Sequence, residues 1–366
     1  MHLVIFGLTL SSSWGNGHAT LWRGLLKALA ARGHTAVFFE KDVSYYRDTR
    51  DGWQTPDGVR LCLYAELDDV RPEAERELAD ADVGMVTSYC PDGKLISRLL
   101  LESPARLKLF YDLDTPVTLD ALRSGAPVPY LPEDGLADFD LVLSFTGGRA
   151  LDELQSRLGA QRVMPLYGWV DPEMHCPADP VDEFRSNLSY LGTYAADRQP
   201  ALEELFVEPA RARPADRFVI GGAQYPQDFP WTPNIYFVRH LPPWLHPAFF
   251  CSGRATLNVT RRAMADYGFC PSGRLFEAAA CGTPILSDCW DGLESFFEPG
   301  TEILPVMNRD DVLQALSLSH AELQRTGQAA RERTLAAHTA AARAQELERI
   351  LEGSYGGELT PALAAQ

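Results

Sequence analysis

The sequence has few lysines and a deficit of positive charge. Four of the 33 basic residues are lysines, and 50 acidic residues bring the formal net charge of the 366-residue chain to −17. A surface that follows nucleic-acid phosphates would act against this mean charge, so we expect no nucleic-acid partner. An anionic small ligand would need a local group of arginines and helix N-termini.

The usual sequence marks of metal, disulfide and membrane proteins are also absent. Seven cysteines form no CxxC pair and are odd in number, which argues against a zinc ribbon or a disulfide framework and favours a reducing cytosol. The eight histidines are scattered, so no metal site is predicted. No apolar run reaches the ~18 residues of a membrane span, and the N-terminus has no signal-peptide pattern. We therefore expect a cytoplasmic protein without integral membrane association.

Apolar runs alternate with helical patterns along the whole chain. This alternation predicts doubly wound, mostly parallel sheets, and the proline-rich stretch 168–187 predicts a boundary between two Rossmann-like halves. Such sheets bind ligands at the carboxyl ends of their strands. The predicted strands are 2–8, 35–40, 83–87, 107–111, 140–144 and 162–166 in the first half, and 188–192, 217–221, 235–239, 255–259 and 284–287 in the second.

The most informative segment is 268–294. Ser272 is a good N-cap, Gly273 to Cys281 is predicted as a short helix, and Gly282 is a suitable residue to end it. The free N–H groups of this helix start, together with Arg274, could hold a diphosphate. Glu277 lies one turn in, where its carboxylate could accept hydrogen bonds from two ribose hydroxyls. The alternative is a surface helix in which Glu277 pairs with an arginine.

The string RLFEAAACGTPILSD at 274–288 resembles the nucleotide-sugar segment of GT-B glycosyltransferases, especially the family 4-like and CgeB-like (spore-maturation protein) groups. The resemblance extends through 190–205, 219–226 and 238–261. It implies an α/β protein of the GT-B class, with two Rossmann-like domains facing each other across a cleft. Residues 1–170 would form the acceptor domain and 185–335 the donor domain, and 336–366 a helix and tail that pack back on the first domain.

The resemblance also implies roles for single residues in binding the donor. Glu277 would bind the nucleotide ribose, the loop with Arg198 would contact the phosphates, and His240 would lie beside the base. For Arg198, a solvated arginine at a helix start is an equal alternative. Phe269 stands where family 4 has a second Glu, so the donor sugar is left open. The predicted donor-binding residues are Gly17, Gly192, Thr193, Arg198, His240, Leu241, Asn258, Arg261, Ser272, Gly273, Arg274 and Glu277.

The loop 11–20, SSSWGNGHAT, joins the first strand to the first helix and resembles the opening of CgeB-like chains. His18 in this loop is a candidate general base, although it could equally bind substrate or cap the helix. Asp112 and Asp114 are the carboxylates best placed to orient it, unless they serve only the turn before Pro116. The loop has a G-x-G but no third glycine, and Glu40 ends the second strand, so a nicotinamide-dependent enzyme stays open.

Together these observations predict a hexosyltransferase-like enzyme that moves a sugar from a nucleoside-diphosphate donor, UDP-linked, to an unidentified acceptor. No cofactor is expected, and arginines and a helix dipole would replace a metal ion at the diphosphate. The family 4-like segment favours retention, in which the leaving phosphate takes the acceptor proton; inversion would use His18 as base. Three alternatives remain: a GT-B-fold sugar-nucleotide epimerase, an NAD(P)-dependent oxidoreductase and a non-catalytic sugar-nucleotide-binding protein.

Overall fold

The chain divides into two compact units in the computed structural model, which describes residues 1–14 and 17–356. The first unit comprises Met1–Tyr167 together with the segment that begins at Ala340, and the second comprises Gly168–Thr339. Among the described residues, no helix combines the length and apolar composition that a membrane span requires.

A seven-stranded parallel sheet forms the first unit, with strand order β3-β2-β1-β4-β5-β6-β7. In β1, Leu3 to Phe6 are at most 1% exposed, as expected of a parallel strand that is covered on both faces. The strands are β1 (His2–Gly7), β2 (Thr35–Lys41), β3 (Val59–Tyr64), β4 (Val83–Thr87), β5 (Leu107–Asp112), β6 (Leu141–Ser144) and β7 (Val163–Pro165).

Strand β3 was not predicted, because the charged Arg60 interrupts its sequence VRLCLY; the strand lies at the edge of the sheet, where only its end residues Val59 and Tyr64 are buried. The helices of this unit are α1 (Gly17–Ala31), α2 (Ser44–Arg47), α3 (Leu67–Ala79), α4 (Gly93–Glu102), α5 (Thr115–Ser124) and α6 (Arg149–Leu158). Helix α1 buries Trp22, Leu25, Leu26 and Leu29, the apolar pattern that the sequence shows.

The last helix belongs to this unit although it ends the described chain. It contacts α1 and buries Ala344, Leu347 and Leu351, whose spacing of three and four residues forms one apolar stripe. Helix α14, so numbered in chain order, spans Ala340–Gly356. It therefore ends within the segment 336–366 that was predicted as a helix and tail, and residues 357–366 lie outside the described residues.

The second unit contains a six-stranded parallel sheet in the order β10-β9-β8-β11-β12-β13. Both sheets thus place their first strand next to their fourth, the point at which the order of a doubly wound sheet reverses and a crevice opens at the strand ends. The strands are β8 (Leu188–Leu191), β9 (Phe218–Gly222), β10 (Ile235–Arg239), β11 (Thr256–Asn258), β12 (Ile285–Ser287) and β13 (Leu304–Pro305).

The helix of the informative segment, α11, starts at Gly273 with Ser272 at the N-cap position. It ends at Ala280, and Gly282 adopts a left-handed φ of 74°, which a glycine accommodates without strain. The helices of this unit are α7 (Gln199–Leu202), α8 (Glu208–Ala212), α9 (His246–Ser252), α10 (Arg262–Tyr267), α11 (Gly273–Ala280), α12 (Arg309–Ser317) and α13 (His320–Ala337).

Charged hydrogen bonds also connect helix α14 to the rest of the first unit, and they predict how the stability of the protein depends on pH. Glu348 accepts hydrogen bonds from Arg32 and His34, and the bond from Arg32 is the main reason why its pKa falls from 4.5 to about 2. A lowered pKa means that the stabilisation is complete above pH 4.5 and is lost as the pH falls towards 2. We expect Glu348→Gln to lower the free energy of unfolding by about 1 kcal/mol or less at neutral pH, since Arg32 is partly exposed.

Chemical denaturation from pH 2 to pH 7 measures this difference between wild type and variant. The matched control is Glu75→Gln, on the exposed face of α3, which should leave the pH profile of stability unchanged. If the loss of unfolding free energy in Glu348→Gln is the same at every pH from 2 to 7, the ionised carboxylate of Glu348 does not contribute the predicted stabilisation.

Candidate functional site

Three segments of the second unit meet at the carboxyl edge of its sheet, where β8 lies beside β11. They are the loop after β8, the loop after β11 and the start of α11. This edge is the switch point at which doubly wound sheets bind ligands. Most of the donor-binding residues predicted from the sequence lie on these segments.

Two arginines flank Gly192 at the end of β8. The Nη2 of Arg198 donates to the carbonyl oxygen of Thr193 at 2.6 Å, and the Nη1 of Arg274 donates to the carbonyl oxygen of Leu191. Among the residues that the structure describes, neither guanidinium forms a salt bridge with a carboxylate. Two cations are therefore held on either side of one glycine by neutral acceptors.

The close packing around Gly192 requires glycine. A Cβ atom there would lie 2.6 Å from Nη1 of Arg274 and 2.9 Å from the hydroxyl of Tyr190. A Cβ on Gly222, in the neighbouring strand β9, would overlap the carbonyl oxygen of Gly192. Any larger side chain at these positions would displace the arginine or the loop.

Burial makes the positive charge of Arg198 costly. This side chain is 8% exposed, and its Nε has no hydrogen-bond partner among the described residues. Burial, followed by the neighbouring charge of Arg274, lowers the pKa of Arg198. A bound anion would supply the missing acceptor and offset the repulsion between the two guanidinium groups.

The start of α11 lies next to these arginines. Ser272 occupies the N-cap position, but its side chain makes no capping bond; its Oγ instead accepts from Nε of Arg274 at 3.3 Å. A Cβ added to Gly273 would have no neighbour within 4 Å. The first N–H groups of the helix are thus approachable, as an anion site at a helix N-terminus requires.

Glu277 lies beside two histidines, whereas the sequence left open a pairing of its carboxylate with an arginine. Its Oε2 lies 3.9 Å from Nε2 of His175 and 3.8 Å from Nδ1 of His246. Burial by itself would raise the pKa of Glu277, but His175 and His246 outweigh it and lower the pKa to about 2. The carboxylate is therefore ionised at neutral pH and can accept further hydrogen bonds.

The predicted donor residues Asn258 and Arg261, at and after the end of β11, have different surroundings. Asn258 is 4% exposed and donates to Oγ of Ser287 at 3.1 Å, within a buried polar network that also includes Thr260 and Asp288. Arg261 is half exposed, and its Nε lies 3.5 Å from Oδ2 of Asp197.

His240 follows β10 with a left-handed φ of 54°, and its N–H donates to the carbonyl oxygen of Gly222 at 2.8 Å. Leu241 follows it and is half-buried. Three further residues of the site were not predicted, because the side chains that they contact are distant in the sequence, although two of the three lie in the segments 190–205 and 238–261 that carry the resemblance. They are Tyr190, His175 and His246.

In the first unit, the surroundings of Glu40 argue against the nicotinamide-dependent enzyme that the sequence left open, in which this carboxylate would bind a ribose hydroxyl of the dinucleotide. Glu40 is 1% exposed, and its two oxygens accept four hydrogen bonds, from the hydroxyls of Thr9 and Ser11 and the N–H groups of Leu10 and Ser11, at 2.5–2.9 Å. A carboxylate saturated in this way holds the loop after β1 and is not available to a dinucleotide. Gly15, in the G-x-G, lies outside the described residues.

His18 lies near Asp114 in the first turn of α1, which begins at Gly17. Its Nε2 is 3.9 Å from Oδ2 of Asp114, and the same oxygen accepts from the hydroxyl of Tyr89 at 2.9 Å. Burial lowers the pKa of His18, and the charge of Asp114 opposes that effect. The imidazole is therefore mainly neutral at physiological pH, the form that can take a proton.

Asp112 is fully buried, and its Oδ1 accepts from the N–H of Asp114 at 3.1 Å. Burial raises its pKa to about 6. Of the two predicted carboxylates, Asp114 is the one beside His18, whereas Asp112 shapes the turn that carries Asp114.

Comparison with known proteins bears on the fold and on the second unit. Residues 198–349 match the family model described as glycosyl transferase-like. None of the curated proteins compared with the chain is a significant sequence match.

Solved structures resemble the chain over nearly its whole length. Sucrose-phosphate synthase from Thermosynechococcus elongatus has a TM-score of 0.70 at 14% identity and covers 98% of this chain and 99% of its own. HepE from Anabaena, in complex with UDP and glucose, has a TM-score of 0.66 at 11% identity, with 96% and 99% covered. A UDP-forming α,α-trehalose-phosphate synthase from Burkholderia xenovorans has a TM-score of 0.63 at 10% identity, with 96% and 100% covered.

The similarity to these structures, together with the two parallel Rossmann-like sheets, establishes a GT-B fold and confirms the fold class predicted from the sequence.

The contacts of Glu40 give a stability prediction. Glu40→Ala would leave four buried donors without their acceptor, so we expect the free energy of unfolding to fall by roughly 3 kcal/mol. Denaturant unfolding measures this change. The control Glu133→Ala removes a carboxylate that is 84% exposed and should change stability by less than about 0.5 kcal/mol. Equal effects of the two variants would show that the loop does not depend on Glu40.

Proposed function

We propose that this protein is a glycosyltransferase that transfers a hexosyl group from a UDP-linked nucleotide sugar. The observation that carries the proposal is the pair of arginines around Gly192, which lack carboxylate partners among the described residues and lie beside the N-terminus of α11. Because the chain has a net charge of −17, a diphosphate needs a local concentration of positive charge, which this pair provides. The glycosyl transferase-like match begins at Arg198, and the similar HepE structure is a complex with UDP and glucose.

Each group at this edge has a task in the proposed reaction. When the bond between the sugar and the diphosphate breaks, negative charge grows on the leaving phosphate. Arg198, Arg274 and the N–H groups that follow Ser272 stabilise that charge, the kind of preorganised electrostatic effect that lowers a transition-state barrier most. This arrangement does not need a metal ion on the diphosphate.

The remaining donor contacts hold the nucleoside. The ionised carboxylate of Glu277 accepts hydrogen bonds from the ribose hydroxyls. His240 and Leu241 lie beside the base, and Asn258 and Arg261 complete the wall after β11. The resemblance to CgeB-like chains, noted from the sequence, supports this assignment.

In the proposal, the first unit binds the acceptor. His18, beside Asp114, contacts the acceptor hydroxyl, and Asp112 supports the turn that carries Asp114. Under retention the leaving phosphate takes the proton of that hydroxyl, and under inversion His18 takes it. We favour retention because of the family 4-like segment. All seven cysteines are free thiols, which supports placing the protein in the reducing cytoplasm.

Nucleotide binding tests the donor site. We expect UDP and UDP-sugars to raise the melting temperature of the protein, and Arg198→Gln to weaken UDP binding by about 10- to 100-fold, because a charged hydrogen bond to phosphate is lost. Isothermal titration measures the affinity. Arg262→Gln is the matched control, since Arg262 is 80% exposed and should leave affinity within about twofold.

Three results would contradict the assignment. The first is stabilisation by NAD(P) with none by any nucleoside diphosphate. The second is a donor that is converted to an epimer without release of the diphosphate, which would indicate an epimerase. The third is binding of UDP-sugars with no release of UDP, whichever acceptor is offered, which would indicate a binding protein.

The pH dependence of turnover distinguishes the two roles of His18. If His18 is the base, the rate of UDP release is constant above pH 6.5 and falls as the pH drops through the lowered pKa of the imidazole. His18→Asn should then lower kcat about 100-fold or more and abolish this acid limb. The exposed His320→Asn is the control. A His18→Asn variant with a raised KM but an unchanged pH profile of kcat would assign His18 to acceptor binding only.

A further inference from the structure

Glu277 shares its surroundings with two histidines that the proposed reaction does not use. From this cluster we infer that His175, His246 and Glu277 form a binding site for one divalent transition-metal ion, with Zn²⁺ the best fit. The site shares Glu277 with the proposed donor pocket, so the inference adds to the proposed function but can fail or stand independently of it.

The geometry brings three ligand atoms to one point. Oε2 of Glu277 lies 3.9 Å from Nε2 of His175 and 3.8 Å from Nδ1 of His246, and the three ligand atoms all lie within 4.8 Å of one another. Around a tetrahedral ion with bonds of about 2.0–2.1 Å, neighbouring ligand atoms are roughly 3.3 Å apart. Small side-chain rotations would therefore close the three groups around an ion.

The state of His175 is a second, independent indication. This residue is 3% exposed, and both of its ring nitrogens are buried without a hydrogen-bond partner among the described residues. Buried polar groups in folded proteins are almost always satisfied, so an imidazole of this kind needs an explanation. A metal ion bound between His175 and Glu277 would satisfy Nε2 directly.

The chemistry of the ligands selects the ion. Two imidazoles and one carboxylate are the protein ligands of many zinc sites that keep a fourth position open, whereas Mg²⁺ and Ca²⁺ prefer oxygen ligands. His246 is 19% exposed in its side chain, so an ion can reach the cluster from solvent. The same ligand set also suits Fe²⁺, which makes the identity of the ion part of the test.

Such an ion would join three separate parts of the second unit. His175 lies in the segment before β8, His246 begins α9 and Glu277 lies on α11. The ion would use Oε2 of Glu277 and leave Oε1 for a further hydrogen bond. It would thus orient the carboxylate that the proposed function assigns to the ribose, and it would not lie on the diphosphate.

Metal analysis of the full-length protein tests the inference without nucleotide or turnover. After removal of bound metal with a chelator, the protein is dialysed against Zn²⁺, Fe²⁺ under anaerobic conditions or Co²⁺, and the retained metal per chain is measured by elemental analysis. We expect one equivalent of Zn²⁺, retained in preference to Fe²⁺, and a rise in melting temperature on Zn²⁺ addition. His175→Gln and His246→Gln should each lose the retained equivalent.

His320→Gln is the control, because His320 is exposed at the start of α13 and should keep full metal content. His246→Gln is the milder variant should the buried His175→Gln fail to fold, and the visible spectrum of bound Co²⁺ reports ligand loss in either. No retained metal in the wild type, or equal retention in wild type and both cluster variants, would overturn the inference. UDP binding without metal retention would leave the proposed function standing, and metal retention without UDP binding would leave only the metal site.

Discussion

The site depends on a pair of like charges that the protein holds together without a carboxylate between them. Arg198 and Arg274 are fixed to the carbonyl oxygens on either side of Gly192, and burial makes their repulsion stronger than it would be in water. Gly192 must be glycine for Arg274 to reach this position. The fold therefore maintains an unfavourable local charge in a chain whose total charge is strongly negative. In the proposed function, a bound anion relieves this charge, and the electrostatic cost in the free protein becomes selectivity for an anionic ligand.

Sheet topology explains why these residues meet. In both units the first strand lies beside the fourth, so the loops that follow these strands diverge and leave space at the carboxyl edge. Non-glycine residues with positive φ lie after strands at this edge, Tyr89 after β4 and His240 after β10, as often happens where a loop is held for function. The two units use the same edge differently. The second unit gathers arginines and helix N–H groups, whereas the first gathers His18, Asp114 and Tyr89.

Carboxylates of the same type have opposite uses in this protein because their surroundings differ. Glu40 is saturated by four protein donors and serves only to hold a loop, which removes the main support for a dinucleotide site. Glu277 has imidazole neighbours at nearly 4 Å, which keep it ionised but leave its lone pairs available. The sequence does not distinguish the two, since burial and the number of donors around an oxygen depend on chain segments that are distant in sequence.

The sequence by itself determined two doubly wound parallel sheets, their strands other than β3 and β13, and the helix from Gly273, because these follow from short-range apolar patterns and from glycine and serine at fixed offsets. The GT-B class followed from the resemblance of longer segments to that family. Only the tertiary structure decided which polar side chains meet. The link between Arg198 and Arg274 around Gly192, the saturation of Glu40 and the cluster of His175, His246 and Glu277 all join residues many positions apart. Their proximity depends on the order of strands in a sheet, and no local pattern in the sequence contains that order.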